Sequence, residues 1–362
     1  MTLTELGWRH FFQQQLSIDD MEIFKPARVM AIERSILTMQ SGAGLVSAEL
    51  ELRWQKLPHE ERPTVGDWVL IDQSNSPKRL LERQSLFKRK AAGDRAEVQL
   101  IAANVDTLFV VSSCNLDFNL SRIERYLALA LDAKVIPVLV LTKANLSDAA
   151  DYLEQARNLR AGLEVVAVNS LSADSIAPLR KWCGEGQTVA LVGSSGVGKS
   201  TLLNTMVGAS VAITGAIRED DAKGRHTTTS RSLHPLPEGG LVLDSPGMRE
   251  LKLTDVVAGL GEVFSDIDDL ANQCRFKDCE HQSEPGCAVT QAINAGQLES
   301  RRLQNYQKLL REDAHNTQSI AERHQKSRKF NKNARARNAF TCLLYTSPSP
   351  RDQRGSRMPS SA

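Results

Sequence analysis

The chain has 362 residues, of which 41% are hydrophobic and 24% charged, enough for about two or three globular domains. A formal net charge of +2 excludes a global field of the kind that marks a dedicated nucleic-acid binder, so any basic surface must be local. No apolar run is long enough to span a bilayer, and Met1 to Leu6 lacks a basic-then-apolar secretory pattern; the expectation is a cytoplasmic protein with reduced thiols and no membrane partner.

Residues 1–23 mix charge with Gln13, Gln14 and Gln15 and predict an extension with at most a short helix. From Phe24 the pattern changes to short strands: Ala27 to Ile32, Ser35 to Met39, Gly44 to Leu52 and Asp67 to Asp72, punctuated by Gly42, Gly44, Pro63 and Gly66. Such strands over 24–90 suit a small β-barrel, of which the oligonucleotide-binding (OB) type is one. The basic run Lys78, Arg79, Arg83, Lys88, Arg89, Lys90, Arg95 reads equally as an RNA-facing patch or a solvated linker.

Over 91–253 strands alternate with helices. Val105 to Ser112 is a buried strand, and Ser121 to Ala133 a helix with Ile123, Tyr126, Leu127 and Ala130 inward. Val135 to Leu141 is a strand, Asp148 to Leu159 a helix, Glu164 to Val168 a strand, and Gly240 to Asp244 another. The alternation predicts a mostly parallel sheet covered on both faces. Residues 254–322 read as helical, with Leu298, Leu303, Tyr306, Leu309 and Leu310 at rough helical spacing. Over 323–340 Lys and Arg dominate, a frayed tail that could touch RNA. The stretch 341–362 breaks in composition and resembles translated adaptor read-through, so it is set aside from fold reasoning.

One stretch organises the rest. An apolar run, Val189 to Val192, enters Gly193, Ser194, Ser195, Gly196, Val197, Gly198, Lys199, Ser200, which is the G-x-x-x-x-G-K-S phosphate loop. Glycines let the backbone wrap a polyphosphate with its N–H groups inward, and the following helix directs its positive end there. Lys199 is then the cation for the β- and γ-phosphates, and the Ser200 hydroxyl a Mg²⁺ ligand. Asp244-Ser-Pro-Gly247, after an apolar strand, fits the γ-phosphate sensor: Asp244 would hold Mg²⁺ through water and the Gly247 N–H would meet the γ-phosphate. Between them lies Gly224-Arg-His-Thr-Thr-Thr229, where Thr228 or Thr229 would reach Mg²⁺. His226 is a candidate for orienting water, the plainer alternative being a loop histidine on rRNA or solvent. Met248 stands where Ras-type proteins carry a water-orienting Gln, which predicts slow intrinsic hydrolysis.

Thr142-Lys143-Ala144-Asn145 follows a strand, the place of an Asn/Thr-Lys-x-Asp base reader, and Ser170 follows the next strand and would complete the base pocket with its backbone. Asn145 departs from the pattern. Guanine offers two donors, N1–H and the 2-amino group, and an Asp carboxylate accepts both, whereas an Asn amide sets one donor against another at ~1–3 kcal/mol. Xanthine, with a carbonyl in place of that amine, suits Asn145 better. These base-reading motifs precede the phosphate loop while the switch motifs follow it, the reverse of an ordinary GTPase. A circularly permuted domain explains the order, and it leads the second switch directly into the C-terminal domain.

Cys274, Cys279, His281 and Cys287 form C-x4-C-x-H-x5-C, a donor set for one structural, tetrahedral Zn²⁺. Taken together, Gly224-Arg-His-Thr-Thr-Thr, Asp-Ser-Pro-Gly, the Cys-Arg-Phe-Lys-Asp-Cys-Glu-His run and the motif order resemble the circularly permuted ribosome-small-subunit-dependent GTPase A family (RsgA, also called YjeQ), over about Phe24 to Arg311. The resemblance implies a multidomain protein: an N-terminal OB-fold β-barrel, a central α/β permuted P-loop GTPase domain and a C-terminal, mostly α zinc-binding domain. It implies GTP hydrolysis to GDP, with Mg²⁺, stimulated by the small ribosomal subunit (16S rRNA and ribosomal proteins) in late maturation in the bacterial cytoplasm. The family's nucleotide contacts map onto Thr142 to Asn145 and Gly193 to Thr201, and its zinc ligands onto the four residues above. No signal for oligomerisation is present, and a monomer is expected. Two alternatives belong to other classes: a nucleotide-gated RNA-binding assembly factor with incidental hydrolysis, and an ATP-using P-loop kinase, against which Thr142-Lys143 argues.

Overall fold

Two short helices, α1 (His10–Gln13) and α2 (Ile18–Ile23), precede the first strand in the computed structural model. Residues 1–33, 35–90, 98–208, 231–244, 256–282 and 284–317 are described. The chain divides into two units, Met1–Ala314 and His315–Ala362; only 315–317 of the second are described, so the basic tail and the read-through-like segment lie outside the described residues.

In the first unit, β1 (Lys25–Glu33), β2 (Ile36–Ser41), β3 (Gly44–Glu49), β4 (Trp68–Ile71) and β5 (Pro77–Leu80) pair antiparallel in the order β3-β2-β1-β4-β5. Alternation makes β4 buried on both faces. Val69 and Ile71 pack with Ala27, Val29, Leu37 and Met39, while Trp68 and Leu70 join the main core with Leu6 and Phe12. The predicted third strand stops at Glu49, and Leu52–Gln55 is helical (α3) with Trp54 buried beneath it. The described part of the basic run is not simply linker, and Arg95 lies outside the described residues. It carries β5 and β6 (Leu86–Lys90), the latter paired with β7 (Val98–Ala103). Its cations meet internal partners: Lys78 meets Glu51 and Asp72, Arg79 meets Asp20, and Arg83 grips the buried Asp67 with two bonds of 2.8 Å.

The central sheet comprises β8 (Thr107–Ser113), β9 (Ile136–Thr142), β10 (Glu164–Ala167), β11 (Thr188–Val192), β12 (Arg231–Pro235) and β13 (Leu241–Asp244). Their order is β10-β9-β8-β11-β13-β12, parallel except for β12. β8 and β11 are buried throughout, as strands covered on both faces must be. One cover includes α4 (Leu120–Asp132), the other α7 (Lys199–Val207). α5 (Ala150–Arg157) and α6 (Ala173–Ile176) complete the crossovers. β12 also pairs with β1 (Ala31 opposite Ser232), so the antiparallel strands continue the central sheet.

The C-terminal part of the unit is helical: α8 (Val257–Val263), α9 (Ser265–Ala271), α10 (Ala288–Asn294) and α11 (300–314). α8 packs directly on α4. A Cβ on Gly259 would stand 2.1 Å from the Ala128 carbonyl oxygen, so only glycine allows this approach.

Candidate functional site

β11 delivers the chain to the phosphate loop at the C-terminal edge of the sheet. The loop occupies 193–198 and α7 starts at Lys199, anchored by the buried Leu202, Leu203 and Met206. Gly193 has φ 151°, and a Cβ there would meet the Val111 carbonyl oxygen at 2.2 Å, so the turn out of β11 excludes any side chain. The Lys199 ammonium donates to the Ser194 carbonyl. Ser200 and Thr201 lie half-buried in the first turn of α7.

The base-side residues stand next to this loop because β9 and β10 end at the same edge. The Thr142 hydroxyl lies 2.5 Å from the Val197 carbonyl oxygen and 3.1 Å from that of Ser112, tying the end of β9 to the phosphate loop. The Ser170 carbonyl accepts from Thr205 Oγ1 of α7 at 2.7 Å, while the buried Ser170 hydroxyl has no partner among the described residues. A Cβ on Gly198 would lie 3.6 Å from both the Thr142 and Ser170 hydroxyls. Lys143 is half-buried with φ 59°, the Ala144 amide donates to the Val168 carbonyl at 3.3 Å, and Asn145 is exposed. Thr142 and Ser170, far from the loop in sequence, thus stand against it.

On the other flank Asp244 ends β13, the parallel neighbour of β11. Beside it, burial lowers the pKa of His234, whose ring contacts the Ser232 hydroxyl at 2.9 Å. His226, Thr228, Thr229 and Gly247 lie outside the described residues.

Cys274, Cys279, His281 and Cys287 come together between α9 and α10, with all four ligand atoms within 4.8 Å of one another. Cys274 Sγ is 3.9 Å from Cys287 Sγ and 3.7 Å from His281 Nδ1, and Cys287 Sγ is 3.5 Å from the same nitrogen. A tetrahedron with metal–sulfur bonds of about 2.3 Å has edges of about 3.8 Å, so the cluster fits a tetrahedral metal ion. Burial pushes the Cys279 thiol up to about 11. Burial also opposes ionisation of Cys287, but the Thr290 hydroxyl and amide and His281 outweigh it and bring that thiol down to about 6. A metal ion bound there would release the protons the thiols still hold.

Two features escaped sequence reasoning. Arg122, in the first turn of α4, donates to the Ser194 hydroxyl of the phosphate loop across 72 positions of chain. No motif spacing flags it; only the adjacency of β8 and β11 (Val110 opposite Val192) brings the segments together. Glu124, fully buried, accepts from Arg301, Arg302 and Asn305 of α11.

The sheet order, the phosphate loop and the reversed motif order define a circularly permuted P-loop GTPase. The RsgA GTPase family model matches residues 80–254. An ABC transporter model also matches 179–340, a stretch that includes the phosphate loop. The small ribosomal subunit biogenesis GTPase RsgA 2 of Vibrio vulnificus is 54% identical over 334 residues, covering 91% of this chain and 93% of that protein. The RsgA of Mesorhizobium japonicum is 48% identical over 321 residues, covering 87% and 91%. Among solved structures, YjeQ from Thermotoga maritima superposes with a TM-score of 0.57 at 26% identity, covering 79% of this chain and 97% of that one. YloQ, titled a circularly permuted GTPase, shares the fold with a TM-score of 0.56 at 22% identity, covering 84% and 96%. The chain belongs to the RsgA GTPase family.

Proposed function

We propose that this protein hydrolyses GTP to GDP and phosphate and acts in biogenesis of the small ribosomal subunit, which stimulates it. The observation that carries the reading is the placement of one phosphate loop between Thr142 and Ser170 on one flank and Asp244 on the other. In this reading Gly193 to Thr201 wrap the phosphates, Lys199 neutralises them, and Ser200, Thr228 and Asp244 hold Mg²⁺. The Gly247 N–H senses the γ-phosphate and His226 acts on the attacking water, a role Met248 cannot take. Thr142 to Asn145 and Ser170 hold the base. Zn²⁺ bound by the three cysteines and His281 stabilises the C-terminal domain, and the antiparallel strands serve as an OB-type RNA-binding barrel. The protein works as a cytoplasmic monomer on 16S rRNA and ribosomal proteins.

Lys199→Ala tests it: single-turnover GTP hydrolysis with small subunits falls by about 100-fold or more. Equal rates with and without subunits in the unaltered protein would favour the RNA-binding reading with incidental turnover. Asn145 supports a second reading, relaxed base selection. Asn145→Asp then raises the preference for GTP over XTP by about 5- to 150-fold, read by competition binding, the equivalent of ~1–3 kcal/mol; no gain would refute it.

A further inference from the structure

Two cations converge on Ser194, the second residue of the phosphate loop. The Lys199 ammonium sits on its carbonyl and the Arg122 guanidinium on its hydroxyl. A neutral hydroxyl is a weak partner for a five-donor guanidinium, whose preferred acceptors are carboxylate or phosphate oxygens held by two bonds. Among the described residues Arg122 makes no ion pair with a carboxylate, and its side chain is exposed.

The base of this side chain is well fixed. The Arg122 amide donates to the Asn119 side chain at 2.9 Å, which caps α4. Asn115 orders the preceding loop through Ser113 Oγ at 2.8 Å and the Asp117 amide at 3.0 Å, and Phe118 packs edge-on against Tyr152. Residue 124 projects about 200° around the helix from residue 122, and there Glu124 is held by α11. The helix is thus clamped on one side and presents one exposed guanidinium to the phosphate loop on the other.

We propose that Arg122 is a phosphate-directed arginine supplied in cis. The inference rests on the GTPase reading above. With a triphosphate in the loop, the guanidinium leaves the Ser194 hydroxyl for the terminal phosphate oxygens. As the water oxygen bonds to the γ-phosphorus, the bond to the bridging oxygen breaks and its electron pair passes to the β-phosphate of the departing GDP. The water's protons end on inorganic phosphate and solvent. Arg122 transfers no proton; it neutralises the charge that grows on these oxygens, the contribution an arginine makes in other phosphoryl transfers. Met248 in the second switch gives this charge more of the work to do.

The experiment compares the full-length protein with Arg122→Ala and Arg122→Lys. It measures single-turnover GTP hydrolysis, GDP affinity, and formation of the GDP–aluminium fluoride complex that mimics the transition state. Arg122→Ala should slow hydrolysis by about 10- to 1,000-fold and lose the aluminium fluoride complex. GDP affinity should stay within about two-fold, since GDP lacks the γ-phosphate oxygens that the guanidinium engages. Arg122→Lys should recover part of the rate by restoring charge without the planar fork. Unchanged hydrolysis in Arg122→Ala overturns the proposal, and so does a parallel loss of GDP affinity and rate, which is the behaviour of a loop support. If the unaltered protein turns over no GTP, the parent reading falls as well; if it turns GTP over and Arg122→Ala matches it, only this proposal falls.

Discussion

The central sheet is joined to its two neighbours by buried charges of opposite sign, and they are satisfied in different currencies. On the N-terminal side Arg28 is 2% exposed and donates to three backbone carbonyls, those of Leu6, Gly66 (3.3 Å) and Asn104 (2.9 Å). Burial pushes its pKa down to about 10, so it stays charged at neutral pH. Arg9 reinforces the junction through Asp106 at 2.6 Å and the Gly186 carbonyl at 2.8 Å, and Asp106 in turn accepts from the Thr188 amide that opens β11. On the C-terminal side, among the described residues, the Glu124 carboxylate is met by side chains alone, and Arg302 passes the network on to Asp266 at 2.7 Å and 2.8 Å. Backbone carbonyls are positioned by the chain path and remain solvable by small shifts. A carboxylate met by two guanidiniums loses its whole balance when either sign is removed. The first junction is therefore a continuation of the fold, and the second a charged clasp.

Substitutions at each junction sharpen this contrast. Glu124→Ala should cost the most, about 3–5 kcal/mol in urea unfolding, because Arg301, Arg302 and Asn305 lose a common buried acceptor. Arg28→Met should cost less, about 2–3 kcal/mol, since its aliphatic replacement still packs against Trp68 while the carbonyls lose their donor. A larger loss at Arg28 than at Glu124 would reverse the comparison. Arg125→Ala, which removes a half-exposed pair with Glu312 (2.5 and 2.8 Å), should cost about 1 kcal/mol or less and fade in high salt. An effect as large as that of Glu124→Ala would show that this part-buried pair, too, holds the clasp.

Much of the catalytic region was legible because its signals are local. The strands ending at Val192, Thr142 and Asp244 are compact apolar runs, and each hands over to a motif within a few residues. The metal cluster was legible for the same reason, with four donors inside one short stretch. What escaped was polar or distant. β5 and β6 are rich in Lys and Arg, so they read equally as an RNA-facing patch or a linker until Phe87 is seen buried, 2% exposed, and Lys78, Arg79 and Lys88 paired. β12 (Arg231–Pro235) carries Arg, Ser, His and Pro and becomes a strand by pairing with β13 and β1.

The order of residues alone determined a phosphate loop, a permuted α/β sheet around it and a tetrahedral set of sulfur and nitrogen donors. Each depends on near neighbours in the chain, where backbone freedom, hydrophobic period and ligand spacing act directly. Tertiary structure alone decided that Arg122 faces Ser194, that Glu124 locks α11 and that β1 extends the central sheet. These contacts join segments tens to hundreds of residues apart, and they exist because burying the shared core forces those particular surfaces together.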